Sequence, residues 1–334
     1  MVLALLLLGN EEEYFMQTRK VGVLGLGHVG AHVAYSLIIQ GIVSELVLVD
    51  PKAGKLVSEV QDLRDAQMYA PHKVEVKPGT YADLGDCDII VNCIGDITLC
   101  ASNNRLDEMS YTVAQVKSYI GKVMASGFKG FIVNITNPCD VIAHLLWQES
   151  GLPKNQVFGT GTGLDTSRLV SKLSLQTGVA HQSISAYMIG EHGASQMAAW
   201  SCVSFGGVPL SVLEKQMPEK FGFDKPELQK LAIGGGWVTY SGKGCTEYGI
   251  CSTAARMVRC ILNDEKCIMP ASTLLEGEYG ERDLFIGVPC LIGKNGIEQV
   301  LELPLTEEEK VQFHSCCEDV RKNIKTAEGI PAAK

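Results

Sequence analysis

Short apolar runs alternate with longer amphipathic segments along the first half of the chain. The runs that are typical of buried strands cover residues 21–25, 45–50, 88–94 and 131–135. The intervening stretches with the length and pattern of helices cover residues 28–40, 53–68 and 106–126. Apolar strands that alternate with helices indicate a parallel sheet with helices on both faces. This half of the chain is therefore predicted to be a doubly wound α/β unit.

The pattern changes beyond residue 163. Predicted strands at residues 185–189 and 199–205 lie close together, and residues 285–292 form another β-rich stretch. A long segment, 226–262, separates them, and the chain closes with a predicted amphipathic helix over residues 306–325. The second half is therefore predicted to be a mixed α+β domain.

The predicted organisation has three parts. Residues 17–162 form the doubly wound domain, and residues 163–334 form the mixed domain. Residues 1–16 are an apolar run followed by glutamates, too short for a membrane span and without the basic start of a signal peptide. We expect this extension to be dispensable.

Composition narrows the functional classes. The chain has 334 residues, 46% of them hydrophobic and 20% charged, which excludes a disordered protein. Its net charge of -9 provides no basic surface for nucleic acid or for an anionic membrane. The 12 cysteines contain no Cys-x-x-Cys pair, so neither a disulfide scaffold nor a zinc site is indicated. Free thiols fit a reducing cytoplasm, and no metal is expected.

A glycine-rich turn joins the first predicted strand to the first helix. Residues 25–30 read Gly-Leu-Gly-His-Val-Gly. Gly25 permits a tight turn, Gly27 lets the backbone approach a pyrophosphate, and Gly30 lets helix and strand pack closely. Asp50 ends the next strand, where a carboxylate binds ribose hydroxyls and repels a 2′-phosphate. The combination predicts dinucleotide binding and favours NAD over NADP.

A histidine follows the predicted strand at residues 185–189. His192 lies in the sequence Gly-Glu-His-Gly, between glycines, and a His is suited to acid–base work at neutral pH. Asp165 and Arg168 are three residues apart, so they share one face of a helix that follows an apolar run. Ligands bind at the carboxyl ends of strands in such sheets, which makes these three residues candidates for a catalytic site.

Taken together, these motifs resemble those of the L-lactate/malate dehydrogenase superfamily over residues 20 to about 325. The glycine motif is followed, in the family's order and spacing, by further motifs: Asn134-Ile-Thr-Asn137-Pro138, Leu164-Asp-Thr-Ser-Arg168, Gly190-Glu-His-Gly193 and Gly244-Cys-Thr246. The resemblance is greatest to the branch of L-2-hydroxyisocaproate and L-lactate dehydrogenases. It implies a Rossmann domain followed by a substrate domain.

The resemblance also implies a role for each motif residue. His192 would be the proton donor and acceptor, with Asp165 as its orienting partner, and Arg168 would bind the substrate carboxylate. Arg105 would polarise the carbonyl from a loop that closes over the substrate. Asn137 would hydrogen-bond in the substrate region, and Thr246 would line the pocket. The residues expected to contact the cofactor are Gly25, Gly27, His28, Val29, Gly30, Asp50, Gly95 and Asn137.

The loop 95–105 bears on the choice of substrate. It has no Lys or Arg before Arg105, which disfavours a dicarboxylate and hence a malate dehydrogenase. Its Gly-Asp-Ile-Thr-Leu start resembles the L-2-hydroxyisocaproate branch, and Ile97, Leu99 and Cys100 would offer apolar contacts. We therefore expect an L-2-hydroxy acid dehydrogenase that accepts a branched or small 2-oxo acid. An L-lactate dehydrogenase with pyruvate as its main substrate is the second possibility.

Two further classes of protein fit the motifs less well. An NAD-dependent glycosidase would need a metal held by Cys and His, but Cys139 is followed by Asp140. A non-catalytic dinucleotide-binding protein would have no need of His192, Asp165, Arg168 and Arg105 together.

The resemblance also bears on assembly and regulation. The family forms homodimers or homotetramers, so a homo-oligomer is expected. The positions that would bind fructose 1,6-bisphosphate correspond to Val170 and Ser185, neither of which can pair with a phosphate. No activation by that sugar is therefore expected.

Overall fold

The computed structural model describes residues 19–100 and 105–333. The predicted extension, residues 1–16, lies outside the described residues, as does the segment 101–104 of the loop that precedes Arg105.

The first half of the chain forms six parallel strands connected mainly by helices. The strands are β1 Lys20–Leu24, β2 Glu45–Val49, β3 Glu75–Pro78, β4 Ile89–Asn92, β5 Phe131–Asn134 and β6 Val157–Gly159. The α-helices are α1 His28–Ile39, α2 Ala53–Asp65, α3 Met109–Ala125 and α4 Cys139–Ser150. The strand order is β6-β5-β4-β1-β2-β3, so the doubly wound sheet predicted from the apolar runs is confirmed.

The second half contains both helices and antiparallel strands. Its helices are α5 Gly163–Thr177, α6 Leu210–Gln216, α7 Pro218–Phe221, α8 Lys225–Lys243, α9 Tyr248–Leu262 and α10 Glu307–Glu328. Its short strands are β7 Ile184–Ser185, β8 Met188–Ile189, β9 Met197–Ala198, β10 Ser204–Phe205 and β11 Val208–Pro209. Its long strands are β12 Cys267–Glu276, β13 Arg282–Gly293 and β14 Gly296–Val300. The mixed α+β class is thus confirmed.

One sheet runs through both halves. Strand β12 lies antiparallel beside β6, where Ser272 pairs with Gly159, and β13 and β14 follow it. The sheet therefore has nine strands in the described part of the chain. At this boundary, β12, β13 and β14 of the second half of the chain extend the sheet of the first half and do not form a separate sheet.

Several segments are more divided than the sequence pattern indicates. The predicted strand 185–189 consists of parts of β7 and β8, which belong to different sheets. Residues 199–205 contain a 3-10 turn, Trp200–Cys202, and only the last two residues are extended. The long segment 226–262 consists of two helices, because Gly244 adopts φ +80 and ends α8 with a left-handed residue. This break places residues 244–247 at the rim of the site described next.

Candidate active site

The glycine-rich turn follows β1 and begins α1. Gly25 has φ +84, a conformation that L side chains rarely adopt. A Cβ at Gly30 would lie 1.8 Å from the carbonyl oxygen of Gly25, so no side chain fits where the helix meets the turn. A Cβ at Gly27 would meet no atom within 4 Å, which leaves an open face at the N-terminus of α1. This geometry suits a phosphate group.

Asp50 follows β2 at the same edge of the sheet. Its carboxylate accepts hydrogen bonds from the backbone N–H groups of Leu26 and Lys52, both at 2.8 Å. The helix α2 begins with Lys52 as its N-cap and receives no side-chain cap, so Asp50 is not a helix cap. The carboxylate instead ties the glycine-rich turn to the end of the neighbouring strand.

A cleft of about 480 Å³ runs from this turn towards His192, and we call it the large cleft. The predicted cofactor residues that line it are Gly27, His28, Val29, Gly95 and Asn137. Thr246, predicted for the substrate, lines it too. Asn137 Oδ1 and Thr246 Oγ1 are buried polar atoms without a hydrogen-bond partner in the described structure. Unpaired buried polar atoms beside an open glycine turn fit a dinucleotide that supplies the missing partners.

His192 is held by a carboxylate from α5. Its Nδ1 lies 2.5 Å from Asp165 Oδ2, and Arg168 Nη1 donates to Asp165 Oδ1 at 2.8 Å. Because a carboxylate only accepts, Nδ1 of His192 carries the proton in this pair, and Nε2 is the nitrogen left for a substrate. The structure thus brings together the three residues that the sequence singled out.

Asp165 is 1% exposed, yet the groups around it favour its ionised form. Burial opposes ionisation, but the charges and hydrogen bonds of His192 and Arg168 outweigh it and hold the pKa of Asp165 below its ordinary value. A buried anion beside an imidazole stabilises the imidazolium form.

Sequence reasoning missed Asp140, which contacts His192. Its Oδ2 accepts the backbone N–H of His192 at 2.8 Å, and the residue is 2% exposed. Burial raises the pKa of Asp140 to about 6, although Ser272 and the His192 backbone act in the opposite direction. Asp140 lies in the first turn of α4, directly after the motif 134–138, and that proximity was the signal that could have found it.

A second, smaller cleft of about 130 Å³ also reaches His192, and we call it the small cleft. His192 lines both clefts, and Arg168 lines the small one. Sequence reasoning missed its apolar lining, which consists of Leu106, Ile233 and Trp237 among others.

Close packing against α8 fixes where Arg168 lies. A Cβ at Gly235 would approach Arg168 Cδ to 3.1 Å, so the glycines of α8 make room for the arginine. This contact joins two residues more than sixty positions apart in the chain, which no local motif reveals.

The loop residues proposed for substrate selection lie differently from the expectation. Leu99 is 41% exposed and Cys100 is buried, and neither is among the described residues that line the two clefts. Ile97, the third residue of that prediction, does line a cleft: it lies in the large cleft together with Thr98. Arg105 begins the 3-10 turn Arg105–Glu108, and its side chain lies outside the described structure.

A nicotinamide-dependent dehydrogenase needs a nucleotide-binding turn and a positioned acid–base group. Here one cleft joins the glycine-rich turn to the His192–Asp165 pair, so the fold and the site define this class of protein. The comparison with protein families agrees with this class. The family model described as lactate/malate dehydrogenase, NAD binding domain, matches residues 19–159. The model described as lactate/malate dehydrogenase, alpha/beta C-terminal domain, matches residues 162–330. The chain belongs to the lactate/malate dehydrogenase family.

Individual relatives cover almost the whole chain. An L-lactate dehydrogenase of Fusobacterium nucleatum is 41% identical over 310 residues, which are 92% of this chain and 97% of the relative. L-lactate dehydrogenase 1 of Bifidobacterium longum is 42% identical over 309 residues, 92% of this chain and 98% of the relative.

Solved structures give the same result. The minor L-lactate dehydrogenase of Enterococcus mundtii in its ligand-bound form superposes with a TM-score of 0.85 at 36% identity, covering 92% of this chain and 98% of that one. A lactate dehydrogenase from a deep-sea metagenome of the Medee basin gives 0.87 at 32% identity, covering 93% and 99%.

These comparisons confirm the predicted family, fold class and cofactor, and with them the class of NAD-dependent dehydrogenase. Across residues 19–100 and 105–333, no helix combines the length and the apolar character that a bilayer crossing requires.

Proposed function

We propose that this protein is an NAD-dependent L-2-hydroxy acid dehydrogenase that reversibly reduces a small or branched 2-oxo acid. The observation that carries the proposal is the His192–Asp165 pair at the junction of the two clefts, with Arg168 beside it. The large cleft fits the dinucleotide, and the small cleft fits a compact acid.

The chain's own groups provide the proton. When bound, the reduced nicotinamide supplies a hydride to the carbonyl carbon, and in the reverse direction its oxidised form accepts one. His192 Nε2 donates a proton to the carbonyl oxygen as negative charge develops on it, and withdraws the proton from the alcohol in oxidation. Asp165 holds Nδ1–H and stabilises the imidazolium without itself being protonated.

Arg168 is proposed to bind the substrate carboxylate. It lines the small cleft next to His192, and a guanidinium fork matches a carboxylate in two parallel hydrogen bonds. Binding the acid group at a fixed position directs the 2-oxo carbon towards the junction of the clefts. Holding the substrate in this orientation lowers the barrier to reaction, and such positioning supplies much of the rate enhancement of a site of this kind.

Three further residues complete the proposed machinery. Arg105 polarises the carbonyl when the loop 95–105 covers the substrate, and exclusion of water strengthens that interaction. Asn137 and Thr246, which line the large cleft and each carry a buried oxygen without a hydrogen-bond partner, orient the nicotinamide and the substrate next to it. The turn that receives the phosphates and the adenosine ribose is shaped by Gly25, Gly30 and Asp50.

The small cleft favours a monocarboxylate. Of the described residues that line it, Arg168 is the only Arg or Lys, so a second carboxylate would lack a cation there. Leu106, Ile233 and Trp237 offer apolar surface to a side chain such as that of 2-oxoisocaproate. The relatives named L-lactate dehydrogenase favour pyruvate as the second candidate substrate.

The experiment is to follow NADH oxidation with pyruvate, 2-oxobutyrate, 2-oxoisocaproate, phenylpyruvate and oxaloacetate, and to compare kcat/KM. A branched or aromatic acid that equals or exceeds pyruvate supports the broad specificity. An advantage of about ten-fold for pyruvate, about 1.4 kcal/mol, makes the enzyme a lactate dehydrogenase. Failure of every 2-oxo acid to oxidise NADH would refute the proposed activity.

Assembly and location are part of the proposal. Tyr35 and Ile39 on α1 and Val57 on α2 are exposed apolar side chains, which supports a homodimer or homotetramer. All 12 cysteines are free thiols, which supports a reducing cytoplasm. Val170 and Ser185 carry no charge that could pair with a phosphate, so fructose 1,6-bisphosphate is not an activator.

The division of the chain at residues 162 and 163 is also proposed. It places the nucleotide turn in one domain, residues 17–162, and His192, Asp165 and Arg168 in the other, residues 163–334. The extension 1–16 is proposed to be dispensable for activity.

A further inference from the structure

Three charged or polar side chains meet at the rim of the large cleft. Glu247, between α8 and α9, is only 7% exposed. Its carboxylate contacts the ammonium group of Lys243, the last residue of α8, and lies 2.9 Å from Nδ1 of His28. Lys243 Nζ also stands 3.9 Å from the ring centre of Tyr248. One buried anion therefore contacts a group at the end of α8 and a group at the start of α1.

The three groups lie differently with respect to the large cleft. Lys243 and His28 line the large cleft, whereas Glu247 is not among its lining residues. His28 is the first residue of α1, whose N-terminal amides form the natural site for a pyrophosphate. Lys243 is thus a cation beside the predicted phosphate position, and its negative partner stands behind it.

We propose that Lys243 binds the pyrophosphate of the dinucleotide, and that Glu247 competes with the pyrophosphate for Lys243. This inference rests on the proposed use of NAD. In the free protein Glu247 holds the ammonium group, and in the complex the two phosphates share it. Glu247 is a positioning residue that limits cofactor affinity, and by doing so it favours release of the cofactor after turnover.

The electrostatics support competition. Burial opposes the charge on Glu247, but Lys243, His32 and His28 outweigh it and keep the pKa of Glu247 below its ordinary value. The carboxylate is therefore an anion close to the place where a doubly charged pyrophosphate fits. Like charges repel, and the effect is larger at a buried site than in bulk water. Removal of the charge on Glu247 should consequently strengthen cofactor binding.

The first test measures binding of NADH and of ADP-ribose by calorimetry to the Lys243→Met variant. ADP-ribose has the pyrophosphate but no nicotinamide, so a pyrophosphate contact weakens both ligands by the same factor. We expect about ten-fold, or about 1.4 kcal/mol. The control Lys230→Met removes the same charge from α8 at a side chain that is 80% exposed, and it should leave both affinities unchanged. Unchanged binding of ADP-ribose to Lys243→Met would overturn the proposal.

The second test uses Glu247→Gln, which keeps the shape of the side chain and removes its charge. We expect NADH and ADP-ribose to bind about three-fold to ten-fold more tightly. Misfolding cannot produce tighter binding, so this readout separates competition from a merely structural role. In the Lys243→Met background the same substitution should strengthen binding less, because the competition for Lys243 is gone and only the direct repulsion between Glu247 and the pyrophosphate remains. Weaker binding to Glu247→Gln overturns the proposal.

The two proposals fail in different ways. A wild-type protein that binds neither NADH nor ADP-ribose contradicts the proposed cofactor itself. A wild-type protein that binds both, with affinities that neither substitution changes, contradicts only the role of Lys243 and Glu247.

Discussion

Nδ1 of His192 lies 2.5 Å from Oδ2 of Asp165, and the other oxygen of that carboxylate binds Arg168. A single buried carboxylate therefore sets the orientation of the proposed proton donor and of the residue proposed to bind the substrate's acid group. Asp165 and Arg168 contact each other because they lie one helical turn apart on α5. In the proposed mechanism, this one anion fixes the position of the substrate carboxylate relative to the reacting oxygen.

Replacement of His192 tests the proton transfer. His192→Ala removes the group that donates to the carbonyl oxygen, so kcat should fall by about 10²–10⁴-fold, the usual contribution of a positioned acid–base group. The Kd for NADH, measured by fluorescence, should stay near the wild-type value because the glycine-rich turn is untouched. Near-normal turnover by this variant would mean that another group donates the proton.

Arg168→Lys tests the carboxylate fork. A lysine keeps the charge but cannot form two parallel hydrogen bonds, so kcat/KM for the best 2-oxo acid should fall by about 10–100-fold, or about 1.4–2.7 kcal/mol. Most of the change should appear in KM, and NADH affinity should be unaffected. Steady-state kinetics at saturating NADH provide the measurement. An unchanged KM would assign carboxylate binding to another residue.

Two glycines of the nucleotide turn make a matched pair. Gly30→Ala places a Cβ 1.8 Å from the carbonyl oxygen of Gly25, so it should lower the Tm and abolish NADH binding. Gly27→Ala adds a methyl group where no protein atom lies within 4 Å, so its Tm should equal that of the wild type. NADH affinity should nevertheless fall, because the methyl group stands where the pyrophosphate approaches. Normal affinity in Gly27→Ala would argue against that approach.

Asp140 should make the stability of the protein depend on pH. Burial raises the pKa of Asp140 from its ordinary value of 3.8 to about 6, so the folded state holds its proton longer than the unfolded state. Stability from this group is present in acid and is lost as the pH rises from about 4 to about 6. The variant Asp140→Asn cannot ionise, so it should not lose stability in this pH range, and its amide oxygen can still accept the N–H of His192.

The measurement is the difference in unfolding free energy between Asp140→Asn and wild type at pH 4 and pH 8. We expect little difference at pH 4 and a gain on the order of 3 kcal/mol at pH 8 for the variant. Asp62→Asn, at an exposed position on α2, changes the net charge equally and should show no such pH dependence. A variant that is less stable than wild type at pH 8 contradicts the account.

The sequence predicted what depends on contiguous motifs. The glycine-rich turn, the pair Asp165 and Arg168, and the doubly wound sheet follow from short-range spacing and from apolar runs. The contact between Asp140 and His192 joins residues 52 positions apart, so spacing could not predict the pairing, although the place of Asp140 directly after the motif 134–138 marked it as a candidate. The lining of the small cleft by Trp237 was missed for the same reason.

The strand β12 was not predicted, and its sequence explains why. Pro270 lies inside it, and a proline argues against a central strand because it cannot donate to the hydrogen-bond ladder. In the structure its neighbours are β13 and, at a single residue pair, β6. The strand is therefore positioned by tertiary packing that its own sequence does not indicate.

The pairing of Ser272 with Gly159 has a consequence for any attempt to divide the molecule. A fragment that ended after β6 would leave that strand as an open edge, with unpaired backbone groups available to other chains. The nucleotide-binding half, expressed alone, should therefore self-associate or precipitate. In the intact chain β12 covers the edge of β6. The second half of the chain should therefore contribute to solubility as well as to the proposed chemistry.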